Sequence, residues 1–164
     1  MKRVYLDNAA TTSIHPEVID MITSMMGSNY ANPSSIHSFG RESKIIVENS
    51  RKKIAELINT SPGSIFFTSG GTEADNMAIK CAIEDHNIKH AITSKISHHA
   101  VLYPLEDLAA EGKIKLSYID IDKNGVISLS HLEELLSSNP RTFVSIMHAN
   151  NEVGTKHLSL GEEH

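Results

Sequence analysis

Apolar positions along the chain alternate between helical and extended spacing. Over residues 16–27, Val18, Ile22, Met25 and Met26 fall on one helical face, with Pro16 suited to the first turn and Gly27 to the stop. A loop rich in Asn, Ser and Pro follows over 29–38, and a longer helix is predicted over 40–58, where Val47, Ile54, Leu57 and Ile58 keep near-helical spacing between charged residues. Ser61-Pro62-Gly63 marks a turn, and Ile65-Phe66-Phe67 reads as a short buried strand. The pattern then predicts a helix over 72–84 with Met77, Ala78, Cys81 and Ala82 inward, a strand over 90–93, and a helix over 98–110 with Val101, Leu102, Leu105 and Leu108 inward, ended by Gly112. A strand over 115–121, a turn at Asp122-Lys123-Asn124-Gly125 and a short helix over 129–136 come next, with Ser130 and Glu133 spaced as a capping box. A last strand over 142–147 runs into a loop over 148–154.

Strands alternating with helices imply βαβ units, an α/β fold and a mainly parallel sheet flanked by helices. Such sheets bind ligands at the carboxyl ends of their strands. That rule singles out the loops over 69–72, 94–99 and 148–154.

Composition narrows the classes. A chain of 164 residues is long enough for one domain with a real core. A net charge of −5 with no basic stripe argues against nucleic acid or an anionic membrane as partner. No apolar run approaches the roughly 20 residues that span a bilayer, and the first residues lack the apolar stretch of a secretory signal. A single cysteine excludes an internal disulfide and fits a reducing compartment such as the cytoplasm. Asp120 to Ser128 nearly matches a calcium loop, yet the twelfth position is His131 where a bidentate glutamate is needed, and no metal centre is expected.

The candidate chemistry begins at Phe67-Thr68-Ser69-Gly70-Gly71-Thr72-Glu73, where an apolar run stops, two glycines follow and a helix begins. Glycines let the backbone turn tightly against a ligand, and the first N–H groups of a helix have no partner within it. A phosphate dianion satisfies both needs, with Gly71, Thr72 and the Thr72 hydroxyl as donors. The same letters also suit an ordinary capped turn, with Ser69 or Thr72 as the cap. In the second loop, His98 could stack on a flat cofactor and move a proton, or it is a surface histidine at a helix start. In the third, Asn151 could hydrogen-bond a ring oxygen, although asparagine is also a common turn former.

Taken together and in order, Tyr5-Leu6-Asp7-Asn8-Ala9-Ala10-Thr11-Thr12, Asn32-Pro33-Ser34-Ser35, His37-Ser38-Phe39-Gly40, the run from Phe67 to Asn76, Ser97-His98-His99-Ala100-Val101 and Met147 to Gly154 resemble the N-terminal part of the cysteine desulfurases. These are class V aminotransferases, of fold type I among pyridoxal-phosphate enzymes. The resemblance implies a partial large domain over 16–155 that binds pyridoxal 5'-phosphate, an N-terminal segment over 1–15 and a divergent tail over 156–164. It implies that Gly71 and Thr72 hold the cofactor phosphate, that His98 stacks on the ring and transfers protons, and that Asn151 bonds the ring 3-oxygen. Asn8, Ala9, Thr11, Asn32 and His37 would lie near the substrate entrance. The implied reaction takes sulfur from L-cysteine, leaving L-alanine and an enzyme persulfide that feeds iron–sulfur cluster assembly or tRNA thiolation. The implied partners are sulfur-acceptor or scaffold proteins and a second copy or complementing chain.

The family's Schiff-base lysine, its aspartate partner to the pyridine nitrogen and its sulfur-accepting cysteine have no counterpart before His164. Lys95 and Lys156 read as surface charges, and Cys81 as a small core residue. The expectation is that this chain alone is inactive and tends to pair with another chain or aggregate. The alternative is a non-catalytic fragment that acts only by association.

Overall fold

The computed structural model describes residues 3–139 and 141–157. Two compact units are present, Met1–Phe67 and Thr68–His164.

In the first unit, α1 (Pro16–Ser28) starts with proline in its first turn and buries none of its residues. The second helix, α2 (Ser38–Leu57), is capped by His37, whose Nδ1 accepts the Gly40 N–H at 3.3 Å. Gly40 is buried, and a Cβ there would stand 2.4 Å from the Ser35 carbonyl oxygen and 2.9 Å from that of Asn32. Only glycine therefore lets the 32–37 loop rest on this first turn.

A 3-10 turn, Pro62–Ser64, follows. Residues 65–67 are not the predicted buried strand: Phe66 is 69% and Phe67 50% exposed. The Arg51 guanidinium explains the difference. It donates to the Ile65 carbonyl, which a neighbouring strand would otherwise use, and lies 4.9 Å from the centre of the Phe67 ring.

The second unit runs α3 (Gly71–Asp85), β1 (His90–Ser94), α4 (His99–Ala110), β2 (Lys115–Ile119), α5 (Leu129–Ser137) and β3 (Thr142–Val144). The sheet has the order β2-β1-β3, with both pairings parallel. Successive residues of a strand face opposite sides. Ala91 accordingly packs with Ile79 and Ile83 of α3 and Leu105 and Leu108 of α4, while Ile92 packs with Ile119 and Leu132 of α5. Helices thus cover both faces, which suits an all-parallel sheet, and every residue of β1 is buried.

Several expectations shift by one to three residues. The inward face of α3 is Ile79 and Ile83; Met77 and Cys81 are exposed, because the stripe that meets α4 lies one position round the helix from the predicted one. The cap of α5 is Ser128, whose Oγ accepts the His131 N–H at 3.3 Å, so Ser130 lies inside the helix and not at its cap. The second strand stops at Ile119 because Ile121 pairs instead with Ile127 across the 122–125 turn. The third stops at Val144, where the Thr93 hydroxyl takes the Ser145 carbonyl at 3.0 Å.

His90 clasps the sheet from its central strand. Its Nδ1 hydrogen-bonds Thr142 Oγ1 of β3 at 3.0 Å, and its Nε2 hydrogen-bonds Ser117 Oγ of β2 at 2.8 Å. Burial, with the Lys115 charge nearby, holds the imidazole below its ordinary pKa of 6.5. The unfolded chain therefore takes up the proton first, so this contribution to stability is complete above 6.5 and is lost as the pH falls towards the folded value. We expect His90→Leu to cost about 1–3 kcal/mol at neutral pH and to flatten the loss of thermal stability below 6.5. Melting curves across that range check this, and an unchanged slope in the variant would contradict it.

Candidate cofactor site

Loops from the carboxyl ends of β1 and β3 line one cavity, where the strand order β2-β1-β3 reverses direction. Open α/β sheets bind ligands at such a switch point.

The 68–73 turn is built by its own side chains. Thr68 Oγ1 donates to the Gly70 carbonyl at 3.1 Å. The Glu73 carboxylate reaches back and accepts both the Ser69 hydroxyl at 2.6 Å and the Ser69 N–H at 2.7 Å. Those two bonds, the hydroxyl first, hold its carboxyl below the ordinary value of 4.5 and keep it charged. Gly70 precedes the helix with no side-chain cap, so neither Ser69 nor Thr72 plays that part. The first N–H to find a helical acceptor is that of Ala74, bonded to the Gly70 carbonyl at 3.1 Å. The N–H groups of Gly71 and Thr72 come ahead of that ladder, at the positive end of the helix dipole. A Cβ built on Gly70 or Gly71 would meet nothing within 4 Å, so the space before the turn is open.

His98 caps α4 through Nδ1, which accepts the Ala100 N–H at 3.1 Å. Bonding assigns the proton of the neutral ring to Nε2. The ring lines two cavities. One, of about 350 Å³, is also walled by Lys95, Ile96, Met147, Asn150, Asn151 and Val153. The other, of about 310 Å³, is walled by Thr72, Asn76, His99 and Tyr103, with the His99 and Tyr103 rings stacked 4.8 Å apart. His98 and its neighbour His99 line both cavities, and so stand between Thr72 and Asn151. Lys95 also sits 5.8 Å from the centre of the Tyr118 ring.

Of the expected site residues, Thr72, His98 and Asn151 come together in this unit, with Gly71 beside Thr72. Asn8, Ala9, Thr11, Asn32 and His37 belong to the first unit. There Asn8 Nδ2 donates to the Tyr5 carbonyl at 3.4 Å, and Thr11 Oγ1 shares a 2.5 Å hydrogen bond with the Tyr5 hydroxyl. Asn32 Oδ1 accepts the Ser34 N–H at 2.9 Å. Asn150 escaped the sequence reading. It is only 4% exposed, whereas Asn151 beside it is exposed. Two adjacent asparagines carry no signal of which one turns inward.

These residues fit a pyridoxal phosphate. Open glycines and leading N–H groups suit its phosphate, an imidazole suits its flat ring, and an amide suits its ring oxygen. The acid at the turn is already engaged with Ser69.

The architecture and this set of groups define a fold-type I pyridoxal-phosphate protein. More closely, the chain belongs to the aminotransferase class-V family, whose model matches residues 4–159. It is 45% identical over 159 residues to the cysteine desulfurase IscS of Dictyoglomus turgidum, covering 94% of this chain and 40% of that protein. It is 43% identical over 157 residues to the cysteine desulfurase IscS of Methanosarcina thermophila, covering 94% and 38%. A solved NifS-like protein superposes with a TM-score of 0.86 at 40% identity, over 94% of this chain and 43% of that one. SspA, solved in complex with cysteine, superposes with a TM-score of 0.80 at 32% identity, over 90% and 43%. The chain thus spans about two fifths of the length of the relatives it matches.

The turn makes a direct prediction. In an NMR titration, the Glu73 carboxyl has its midpoint below 4.5. Ser69→Ala removes the larger cause and moves that midpoint back up; a midpoint that does not move would contradict the clamp.

Proposed function

We propose that this chain forms the phosphate- and ring-holding part of a pyridoxal-phosphate enzyme that removes sulfur from L-cysteine, yielding L-alanine and a persulfide. One observation carries the reading: the 69–72 turn and the loops after β1 and β3 meet around His98, which shares one cavity with Thr72 and another with Asn151. The cysteine bound to SspA supports the choice of substrate.

Gly71 and Thr72 hold the phosphate through backbone N–H groups and the Thr72 hydroxyl. His98 stacks on the ring. With Nδ1 engaged by Ala100, its exchangeable proton is the one on Nε2, where it donates to or accepts from the reacting atoms. Asn151 hydrogen-bonds the ring 3-oxygen. When bound, the cofactor supplies the electron sink for the substrate carbanion.

We assign residues 16–155 to the cofactor-binding domain, and Asn8, Ala9, Thr11, Asn32 and His37 to the substrate entrance. Sulfur-acceptor or scaffold proteins and a second copy are the partners in this reading. Its location is the cytoplasm, which the lone cysteine supports. Among the described residues, no helix is long and apolar enough to cross a membrane.

Titration with pyridoxal phosphate, pyridoxal and inorganic phosphate tests the reading. The phosphorylated form binds more tightly than pyridoxal, and Thr72→Val reduces that preference by about tenfold, the worth of one hydrogen bond to a charged group. Equal binding of the two forms would overturn the phosphate assignment. For the whole protein, alanine accumulates from L-cysteine in the presence of the cofactor, and His98→Ala lowers that rate by about 10²–10⁴.

A further inference from the structure

We infer that Asn150 is a positioning residue that sets His98 against Asn151; the inference rests on the cofactor reading above. Asn150 is buried and uses its whole side chain. Its Nδ2 donates to the Ile96 carbonyl at 2.8 Å, across 54 residues of sequence, and its Oδ1 accepts the Glu152 and Val153 N–H groups, both at 2.9 Å. Its backbone closes the same loop, donating to the Thr155 carbonyl and accepting the Gly154 N–H, each at 2.8 Å.

Ile96 stands two residues before His98, and Asn150 directly precedes Asn151. The groups assigned to the ring face and the ring oxygen therefore sit on separate loops joined by one amide. A third turn backs the junction. Gly125 is buried with φ of +79°, and a Cβ there would stand 3.0 Å from Val153 Cγ1, 3.1 Å from Thr155 Oγ1 and 3.4 Å from Ile96 Cδ1. Thr155 Oγ1 donates to the Asn124 carbonyl at 2.5 Å. Asp122 Oδ1 holds that turn by accepting the Asn124 and Val126 N–H groups, both at 2.8 Å. The stretch that mimics a calcium loop thus serves as a buttress. With both ends of the Asn150 amide fixed, the spacing of His98 and Asn151 is set before any ligand arrives.

A loop staple with no bearing on the site would lower stability and all binding alike. Positioning predicts a selective loss. Asn150→Asp keeps both accepted N–H groups, removes the donor to the Ile96 carbonyl and Met147 Sδ, and sets a carboxylate oxygen against that carbonyl. In the protein it lowers affinity for pyridoxal phosphate by about tenfold or more, one lost hydrogen bond with misplacement, and leaves inorganic phosphate binding unchanged. That loss largely disappears in an Asn151→Ala background, as coupled sites require. Asn150→Ser, which is too short to reach Ile96, provides the same comparison if the aspartate variant fails to fold. Unchanged pyridoxal phosphate affinity, an equal loss for inorganic phosphate, or additivity with Asn151→Ala would each overturn the inference. If the unaltered protein binds pyridoxal phosphate no better than inorganic phosphate, the cofactor reading fails instead.

Discussion

The burial of β1 on both faces is the constraint on which the second unit depends. A strand covered by α3 and α4 on one side and α5 on the other has no solvent for its polar groups, so each must find a partner in the protein. His90 meets that need at the amino end by binding a hydroxyl on each neighbouring strand. At the carboxyl end, Thr93 Oγ1 and Ser94 Oγ bond Ser97 Oγ at 3.0 and 3.2 Å, and Ser94 Oγ accepts the Ile96 N–H at 3.3 Å. These hydroxyls fold the chain back tightly after the strand, and that fold delivers His98 to the start of α4. The site is thus a consequence of how a buried strand ends.

Much of this was legible in the letters. The alternation of apolar spacing located the helices and strands of the second unit to within three residues at either end, because helical and extended periods differ strongly. The rule that parallel sheets bind at their carboxyl ends pointed to the 94–99 and 148–154 loops, which follow β1 and β3, and to the 69–72 turn, which follows no strand among the described residues; His98 lines one cavity with Thr72 and another with Asn151. Glycines at 70 and 71 signalled an open turn, and the structure leaves that space empty of protein atoms.

What escaped depends on tertiary partners. Ile65-Phe66-Phe67 has the composition of a strand, but Arg51 captures the carbonyl a strand would share. The inward face of α3 is rotated by one position because Ile79 and Ile83 are the residues that pack with Leu105 and Leu108 of α4, a pairing that spacing alone does not reveal. Glu73 reads as an ordinary first-turn acid until its carboxylate is seen to close on Ser69. Asn150 and Asn151 are chemically identical neighbours, and only the Ile96 carbonyl 54 residues away separates the staple from the exposed amide.

The central claim is that one ligand engages the 69–72 turn, His98 and Asn151 at once. The most direct test is an NMR titration with pyridoxal phosphate that follows the Gly71 and Thr72 backbone amides, the His98 ring and the Asn151 side-chain amide. The account predicts that all of them shift along a single binding curve. Shifts confined to other residues, or separate curves for the turn and for His98, would contradict it.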